Sequence, residues 1–430
     1  MMKIAMFTNT YLPHVGGVAR AVQTLENGCR KLGHEVRVIA PEFKDAVESP
    51  EVLRVPSIQN FNGSDFSVRL PVPNVIHDFL SDFQPDVIHS HHPFLLGDSA
   101  LREAWKRHIP VIFTHHTLYE RYTHYVPLDS LMLKRVAIQL STEYCNLCDR
   151  VIAPSESIER LLKARGVTTP VRTIPTGIDL GFFAAGNGER FREQVGIGQN
   201  AKVIGHVGRL ALEKNLTFLT DAVATSLREF PDAVFLMVGD GEAREEMLRR
   251  LAQQQVGRQV RAVGKLTGPS LADAYAAMDW FVFSSQTETQ GLVIAEAMAA
   301  GKPVCALDGS GVREIVHDGE NGFLLESNAS VDAFSYALSS LIHDPAMSRN
   351  FAENARITAE SYGTDRCVRC MMDCYTDAIA GSVSTATGSD SMPWDRLISG
   401  IEIEWNLFLE KVSAAAAGMI VTPATEVRLD

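Results

Sequence analysis

The sequence predicts an α/β protein built from two doubly wound, Rossmann-like domains facing a central cleft. Short apolar runs alternate with amphipathic stretches of helix length, the order that produces parallel sheets. The alternation pauses at Ile174-Pro-Thr-Gly-Ile-Asp179, which reads as a hinge, and then begins again. A chain of 430 residues is long enough for two separate cores. The first domain is read as residues 1–175 and the second as 176–360. A helix over 361–380 is expected to cross back to the first domain. Residues 381–393 read as a linker and 394–430 as an extra helical tail of unknown role.

Each element has a local reason. Lys3–Thr8 is an apolar strand. Gly16 and Gly17 open a helix whose apolar positions Val18, Val22, Leu25, Cys29 and Leu32 recur at helical spacing, and Gly33 stops it. His34–Ala40, Val87–His89, Val111–Phe113 and Val151–Ala153 read as buried strands with polar residues at their C-terminal ends. In the second half Val203–Val207, Val234–Val238, Trp280–Phe283 and Pro303–Leu307 repeat the pattern. Open α/β sheets collect ligands at that C-terminal edge. From Ala380 to Pro393 the composition turns to Gly, Ser, Thr and Ala. Trp394–Val412 then carries the helical stripe Leu397, Ile401, Trp405 and Phe408, with packing, partner contact and membrane-surface roles left open.

Composition narrows the function. No apolar run reaches the roughly 18 residues that span a bilayer, and Met1–Phe7 leads straight into a strand, so a cytoplasmic protein is expected. Net charge is −12. Residues 1–175 carry 19 Lys and Arg against 18 Asp and Glu, so the acidity belongs to the second part. That excess argues against nucleic acid as a partner. Ten of the 13 His lie in the first part, leaving room there for an anionic ligand or surface. Seven cysteines in such a chain argue against structural disulfides. Cys145/Cys148 and Cys367/Cys370, with Cys374 a turn further, would make a zinc site only if two helices met; otherwise they are core residues.

The densest chemistry lies in Glu288-Thr-Gln-Gly-Leu-Val-Ile-Ala-Glu296. Glu288 falls in a loop after a strand, Gly291 falls where a helix begins, and Glu296 lies about one and a half turns inside it. Backbone N–H groups between the two acids suit an anionic phosphate. A sugar nucleotide has this layout of sugar, diphosphate and ribose. Arg209 and Lys214 flank a strand-to-helix turn, where two cations suit a diphosphate. Gly16 and Gly17 let a loop approach a phosphate closely.

These motifs occur together and in order: Gly16-Gly17, then His115-His116-Thr117, then Arg209 and Lys214, then Glu288 and Glu296. The combination resembles the retaining GT-B glycosyltransferases of family 4 over residues 1–380. Two stretches, Thr8-Asn-Thr-Tyr-Leu-Pro-His-Val-Gly-Gly-Val18 and His115-His-Thr-Leu-Tyr-Glu-Arg-Tyr-Thr-His-Tyr-Val126, are similar to the bacterial diacylglycerol α-glucosyltransferases. The resemblance implies a hexosyltransferase moving glucose from UDP-glucose to a diacylglycerol-type lipid at the cytoplasmic membrane surface. It implies catalytic roles for His116, Arg209, Lys214 and Glu288. It implies donor contacts from Gly16, Gly17, Arg209, Lys214, Lys265, Glu288, Thr289, Gln290, Gly291, Leu292 and Glu296. Within that set Glu288 would bind sugar hydroxyls, Glu296 the ribose, and His116 the transferred sugar or the acceptor; His115 is left open as structural.

No Asp-x-Asp occurs in the chain. No cofactor and no metal are expected to be required, with Arg209 and Lys214 neutralising the diphosphate instead. Arg261–Lys265 is the expected surrounding of the base. On the acceptor side Tyr119, Tyr122 and Tyr125 stand near Lys134 and Arg135, a mixture that suits a membrane interface. A soluble acceptor, another lipid such as phosphatidylinositol, and a non-catalytic nucleotide-sugar-binding protein are the alternatives.

Overall fold

A computed structural model of the protein describes residues 1–14, 16–43, 45–58, 68–69, 75–121 and 131–385. The first sheet contains β1 (Lys3–Phe7), β2 (Glu35–Pro41), β3 (Val52–Val55), β6 (Val87–Ser90), β7 (Val111–Thr114), β8 (Arg150–Ala153) and β9 (Val171–Thr173). A separate antiparallel pair is made by β4 (Ser57–Ile58) and β5 (Val68–Arg69). The order is β3-β2-β1-β6-β7-β8-β9, with every pairing parallel. The second sheet contains β10 (Lys202–Val207), β11 (Ala233–Val238), β12 (Val260–Gly264), β13 (Trp280–Phe283), β14 (Val304–Leu307) and β15 (Gly322–Leu325). Its order, β12-β11-β10-β13-β14-β15, is also parallel throughout. In both sheets the strand order switches sides beside the first strand, β1 or β10, which opens a crevice at the strand ends.

The strands are apolar on both sides because both faces are covered. Ala5 and Phe7 pack into one core of the first domain and Ile4 and Met6 into the other. In the second domain Val203 and Val207 face one core and Ile204 the other. The helices are α1 (Gly17–Lys31), α2 (Val75–Phe83), α3 (Leu96–Arg107), α4 (Leu131–Leu147), α5 (Glu156–Ala164), α6 (Leu180–Ala184), α7 (Gly188–Gln194), α8 (Leu216–Glu229), α9 (Arg244–Gln253), α10 (Pro269–Ala277), α11 (Leu292–Ala299), α12 (Val331–His343), α13 (Pro345–Glu360) and α14 (Thr364–Thr385), of which α1, α4, α5, α10, α11 and α14 matter for the site.

The chain passes between the domains twice, and the two passages are tied together. Ile178 N–H donates to Tyr362 O at 2.8 Å, and Thr364 N–H donates to Ile178 O at 3.0 Å. Beyond them α14 returns to the first domain, where Val368, Met371, Met372, Tyr375 and Ala378 fill the core beside α1. Gly28 permits this approach, since a Cβ there would lie 2.4 Å from Val368 Cγ2. The helix runs to Thr385, five residues into the stretch whose composition reads as linker. Once a helix is nucleated and packed, adding a further residue needs little intrinsic propensity.

The cysteine pairs do not meet. Cys145 and Cys148 lie in the core on one face of the first sheet, and Cys374 lies in the core on the other. Among the described residues no three His, Cys, Asp or Glu gather as metal ligands. Burial pushes the Cys145 and Cys367 thiols up to about 12, as suits core residues.

Candidate active site

The strand ends of both domains supply the site. After β10 the chain turns through Gly208 and Arg209 into a short 3-10 turn, Leu212–Lys214. Ser284, just past β13, pins this turn by donating its hydroxyl to the carbonyls of Lys214 and Asn215 at 3.1 and 3.0 Å. The pinning brings Lys214 Nζ to within 2.6 Å of Glu288 Oε1. Burial would raise the Glu288 pKa, but Lys214, the hydrogen bonds from Lys214 and Ser285, and the charge of Arg209 together hold it below the usual value. Glu288 is therefore an ionised acceptor. Arg209, partly exposed, pairs with the nearly buried Glu213 one turn on.

Gly291 precedes α11 with a left-handed φ of 74°, which turns the Glu288–Gln290 loop into the helix. Leu292 packs partly buried on the core below. Gly311 backs this loop. A Cβ at Gly311 would stand 2.6 Å from Gln290 N, at a φ of +73°, and no side-chain rotation relieves a clash between backbones. Gly311→Ala is therefore expected to destabilise the protein by about 2 kcal/mol and to raise the donor KM about tenfold. Thermal melting and initial-rate kinetics check both effects.

Glu296 is buried, with both oxygens already engaged. Tyr275 Oη donates to Oε2 at 2.7 Å, and Arg20 Nη1 donates to Oε1 at 2.9 Å. Burial raises its pKa, against the opposing pull of Arg20 and Tyr275. Arg20 belongs to the first turns of α1, so this ion pair joins the two domains. Two more contacts do the same, Thr289 with His116 and Ser157 with Glu314, and a third ties the loop to the hinge. Thr289 Oγ1 donates to His116 O at 2.9 Å. The Gln290 amide clasps Thr176 in the hinge, accepting from its N–H at 2.7 Å and donating to its carbonyl at 2.9 Å. Ser157 N–H, at the start of α5, donates to Glu314 Oε1 at 2.7 Å. The cleft is thus held in a closed arrangement. Arg20→Ala is expected to weaken closure by about 1 kcal/mol, the exposure of Arg20 limiting the loss, and a larger radius of gyration in small-angle scattering checks it.

On the first domain, Gly16 caps α1 in extended backbone and Gly17 begins the helix. A Cβ on Gly17 would meet nothing within 4 Å, so the space in front of it is open. His116 follows β7, partly buried, with Nε2 3.0 Å from His91 Nδ1. His115 is fully buried among Phe113 and Tyr119 and is a core residue.

The acceptor-side expectation needs correction. Tyr119 is buried, its ring edge-on to Phe94 and His115, so it offers no ring to a membrane. An aromatic beside cations in sequence did not distinguish a core position from an interfacial one. Tyr122 and Tyr125 lie outside the described residues. Lys134 is partly buried and Arg135 exposed, both on α4. Lys265 is exposed just past β12, at the rim of the second sheet. Arg261 turns away from that rim, donating to the carbonyls of Arg258, Val260 and Gly196.

Residues 15–182 match the family model for Glycosyltransferase Family 4, and residues 187–358 match that for Glycosyl transferases group 1. Over 387 residues the chain is 30% identical to the alpha-monoglucosyldiacylglycerol synthase of Streptococcus pneumoniae, covering 88% of this chain and 86% of that protein. The chain belongs to glycosyltransferase family 4. A GDP-mannose-dependent alpha-mannosyltransferase of Mycolicibacterium smegmatis is 31% identical, over 83% of this chain and 92% of its own. Among solved structures, Anabaena HepE in complex with UDP-glucose superposes with a TM-score of 0.70 at 21% identity, covering 88% of this chain and all of that one. This likeness shows a shared fold, the GT-B arrangement of two Rossmann-like domains. Family membership makes the protein a glycosyltransferase.

Sequence reasoning missed Arg20, Tyr275 and His91. Arg20 did leave a signal, because a cation in the first turn of a helix opposes the helix dipole and calls for a partner. Tyr275 and His91 left none, since each is recognised only by a neighbour distant in sequence.

Proposed function

We propose that the protein transfers glucose from UDP-glucose to a diacylglycerol-type lipid at the cytoplasmic face of the membrane, with retention at the anomeric carbon. The observation that carries the transfer chemistry is the Lys214–Glu288 pair at 2.6 Å, within reach of the Arg209 charge and next to Thr289, which bonds the His116 carbonyl. On donor binding Lys214 and Arg209 take the diphosphate and stabilise the charge it gains as the glycosidic bond breaks. Glu288 accepts from sugar hydroxyls, and Gly16 and Gly17 leave room for the phosphates. Glu296 keeps lone pairs beyond those used by Arg20 and Tyr275, and these receive the ribose hydroxyls. The acceptor hydroxyl attacks on the same face of the sugar that the diphosphate leaves, and the departing phosphate takes its proton, so the configuration is retained with no side chain as nucleophile. Two fixed cations make a bridging metal unnecessary, and the rate is expected to stay unchanged in excess EDTA.

The lipid acceptor is supported by the likeness to a diacylglycerol glucosyltransferase along nearly the whole chain. Among the described residues no helix is long and apolar enough to cross a membrane, so docking is peripheral in this reading, with α4 and its Lys134 and Arg135 on the acceptor side. A second reading, transfer to a soluble acceptor, is favoured by the net charge of −12, which repels an anionic surface. Incubation with diacylglycerol in anionic liposomes, with UDP-glucose, UDP-galactose and GDP-mannose in parallel, decides between them. A monoglucosyl lipid is the expected product. Donor turnover with soluble acceptors alone would remove the lipid half of the proposal.

A further inference from the structure

His91 and His116 form a hydrogen-bonded pair at the cleft, and the environment of His91 decides which ring carries the shared proton. β6 and β7 pair in parallel, with Ser90 opposite Phe113. Their extensions therefore run side by side and bring His91 Nδ1 to 3.0 Å from His116 Nε2, with the rings nearly stacked at 5.2 Å. The other face of His91 rests on His89, whose ring is fixed by Tyr375 Oη and Thr114 Oγ1, each at 2.7 Å. His91 is thus held rigidly and is 1% exposed.

One of the two rings must donate. Burial holds both imidazoles well below their usual range, and the neighbouring histidines lower them further, so both are neutral near pH 7. A neutral ring carries one proton. If His116 Nε2–H donated, the proton of His91 would sit on its own Nε2, which is buried and has no partner among the described residues. A buried N–H without an acceptor is rare in folded proteins, and a bare lone pair is better tolerated. The favourable arrangement has His91 Nδ1–H donating to His116 Nε2. The proton of His116 then lies on Nδ1, which is not among the sealed, unsatisfied atoms.

We propose that His91 is a positioning residue that fixes His116 as its Nδ1–H tautomer, so that His116 meets the substrate as a hydrogen-bond donor and not as a base. This rests on the transfer reading above only for its catalytic consequence. As a donor His116 bonds an oxygen of the transferred sugar or the acceptor. The acceptor's proton is left to the departing phosphate.

The test is long-range proton–nitrogen NMR on the full chain labelled with ¹⁵N-histidine, with His116 assigned through His116→Gln, alongside transfer kinetics. In the wild type His116 should show a protonated Nδ1 and a bare Nε2. His91→Asn places an amide N–H near the original Nδ1–H and should keep that tautomer and most of kcat. His91→Leu removes the donor; the His116 tautomer should become mixed and kcat fall about tenfold, the worth of one hydrogen bond, with little change in donor KM. If His91→Leu does not fold, the wild-type spectrum and His91→Asn still decide. A wild-type His116 protonated at Nε2, or an unchanged tautomer in folded His91→Leu, overturns the proposal. The stated tautomers in a protein that transfers no sugar would uphold the positioning role and defeat the transfer reading.

Discussion

Lys214→Ala is expected to lower kcat by about 10²–10³-fold, the usual loss when one fixed transition-state donor is removed from a water-poor site. The cause is the missing charge beside the departing diphosphate. A second effect accompanies it, because Glu288 loses the partner that holds its carboxyl ionised. The two effects separate in the pair Lys214→Ala with Glu288→Gln. The double variant should recover whatever melting temperature the single variant loses and none of its kcat. Arg209→Ala should act in the same direction but more weakly, because Arg209 is the more exposed of the two cations. Wild-type kcat in Lys214→Ala, measured with saturating donor, would remove Lys214 from the leaving-group site.

Acidification is expected to destabilise the fold steeply, beginning well above the carboxylate range. Burial lowers His89 and His92 to about 3, and His115 and His206 to about 4. In the unfolded chain each titrates near 6.5. Above that pH neither state binds a proton at these rings, and their full contribution is present. As pH falls below 6.5 the unfolded state binds protons that the folded state refuses, so stability drops until the folded values are reached. Each ring costs roughly 1 kcal/mol between pH 7 and 5.5, and the four together several kcal/mol. That is a large part of the 5–15 kcal/mol typical of a domain. His91 and His116 act in the same sense. Glu26, Asp149 and Glu296, raised by burial, act in the opposite sense at lower pH. Because most of these histidines line the first sheet, the first domain should melt first. Urea unfolding at pH 7.5, 6.5 and 5.5 reads this directly, and a flat profile would contradict it.

The fold was legible because its signals are local. Apolar runs such as Val203–Val207 and Trp280–Phe283, each closed by polar or glycine residues, can be buried only as interior parallel strands. The spacing from Glu288 through Gly291 to Glu296 put one acid in a loop and the other inside a helix, and both stand there. What could not be read comes from contacts between distant residues. Arg20 meets Glu296 across 276 positions, and no periodicity announces such a pair. His91 meets His116 through strand register. Tyr119 looked interfacial because cations surround it in sequence, whereas its position under the end of β7 buries it. Cys148 and Cys370 share a spacing motif but pack on opposite faces of one sheet. Candidate substrate contacts advertise their chemistry locally, and the residues packed behind them are recognised only in the folded molecule.

The most direct test of the central claim is a single-turnover reaction with UDP-glucose, and in parallel GDP-mannose, labelled in the sugar, offered diacylglycerol in liposomes or water-soluble acceptors, counting nucleotide released and label recovered in extracted lipid and in the aqueous phase. Equal amounts of UDP and glucosyl lipid, both suppressed together in Lys214→Ala, are the result predicted here. UDP-glucose left intact while GDP-mannose labels the lipid, or label transferred only to a water-soluble acceptor, would contradict it.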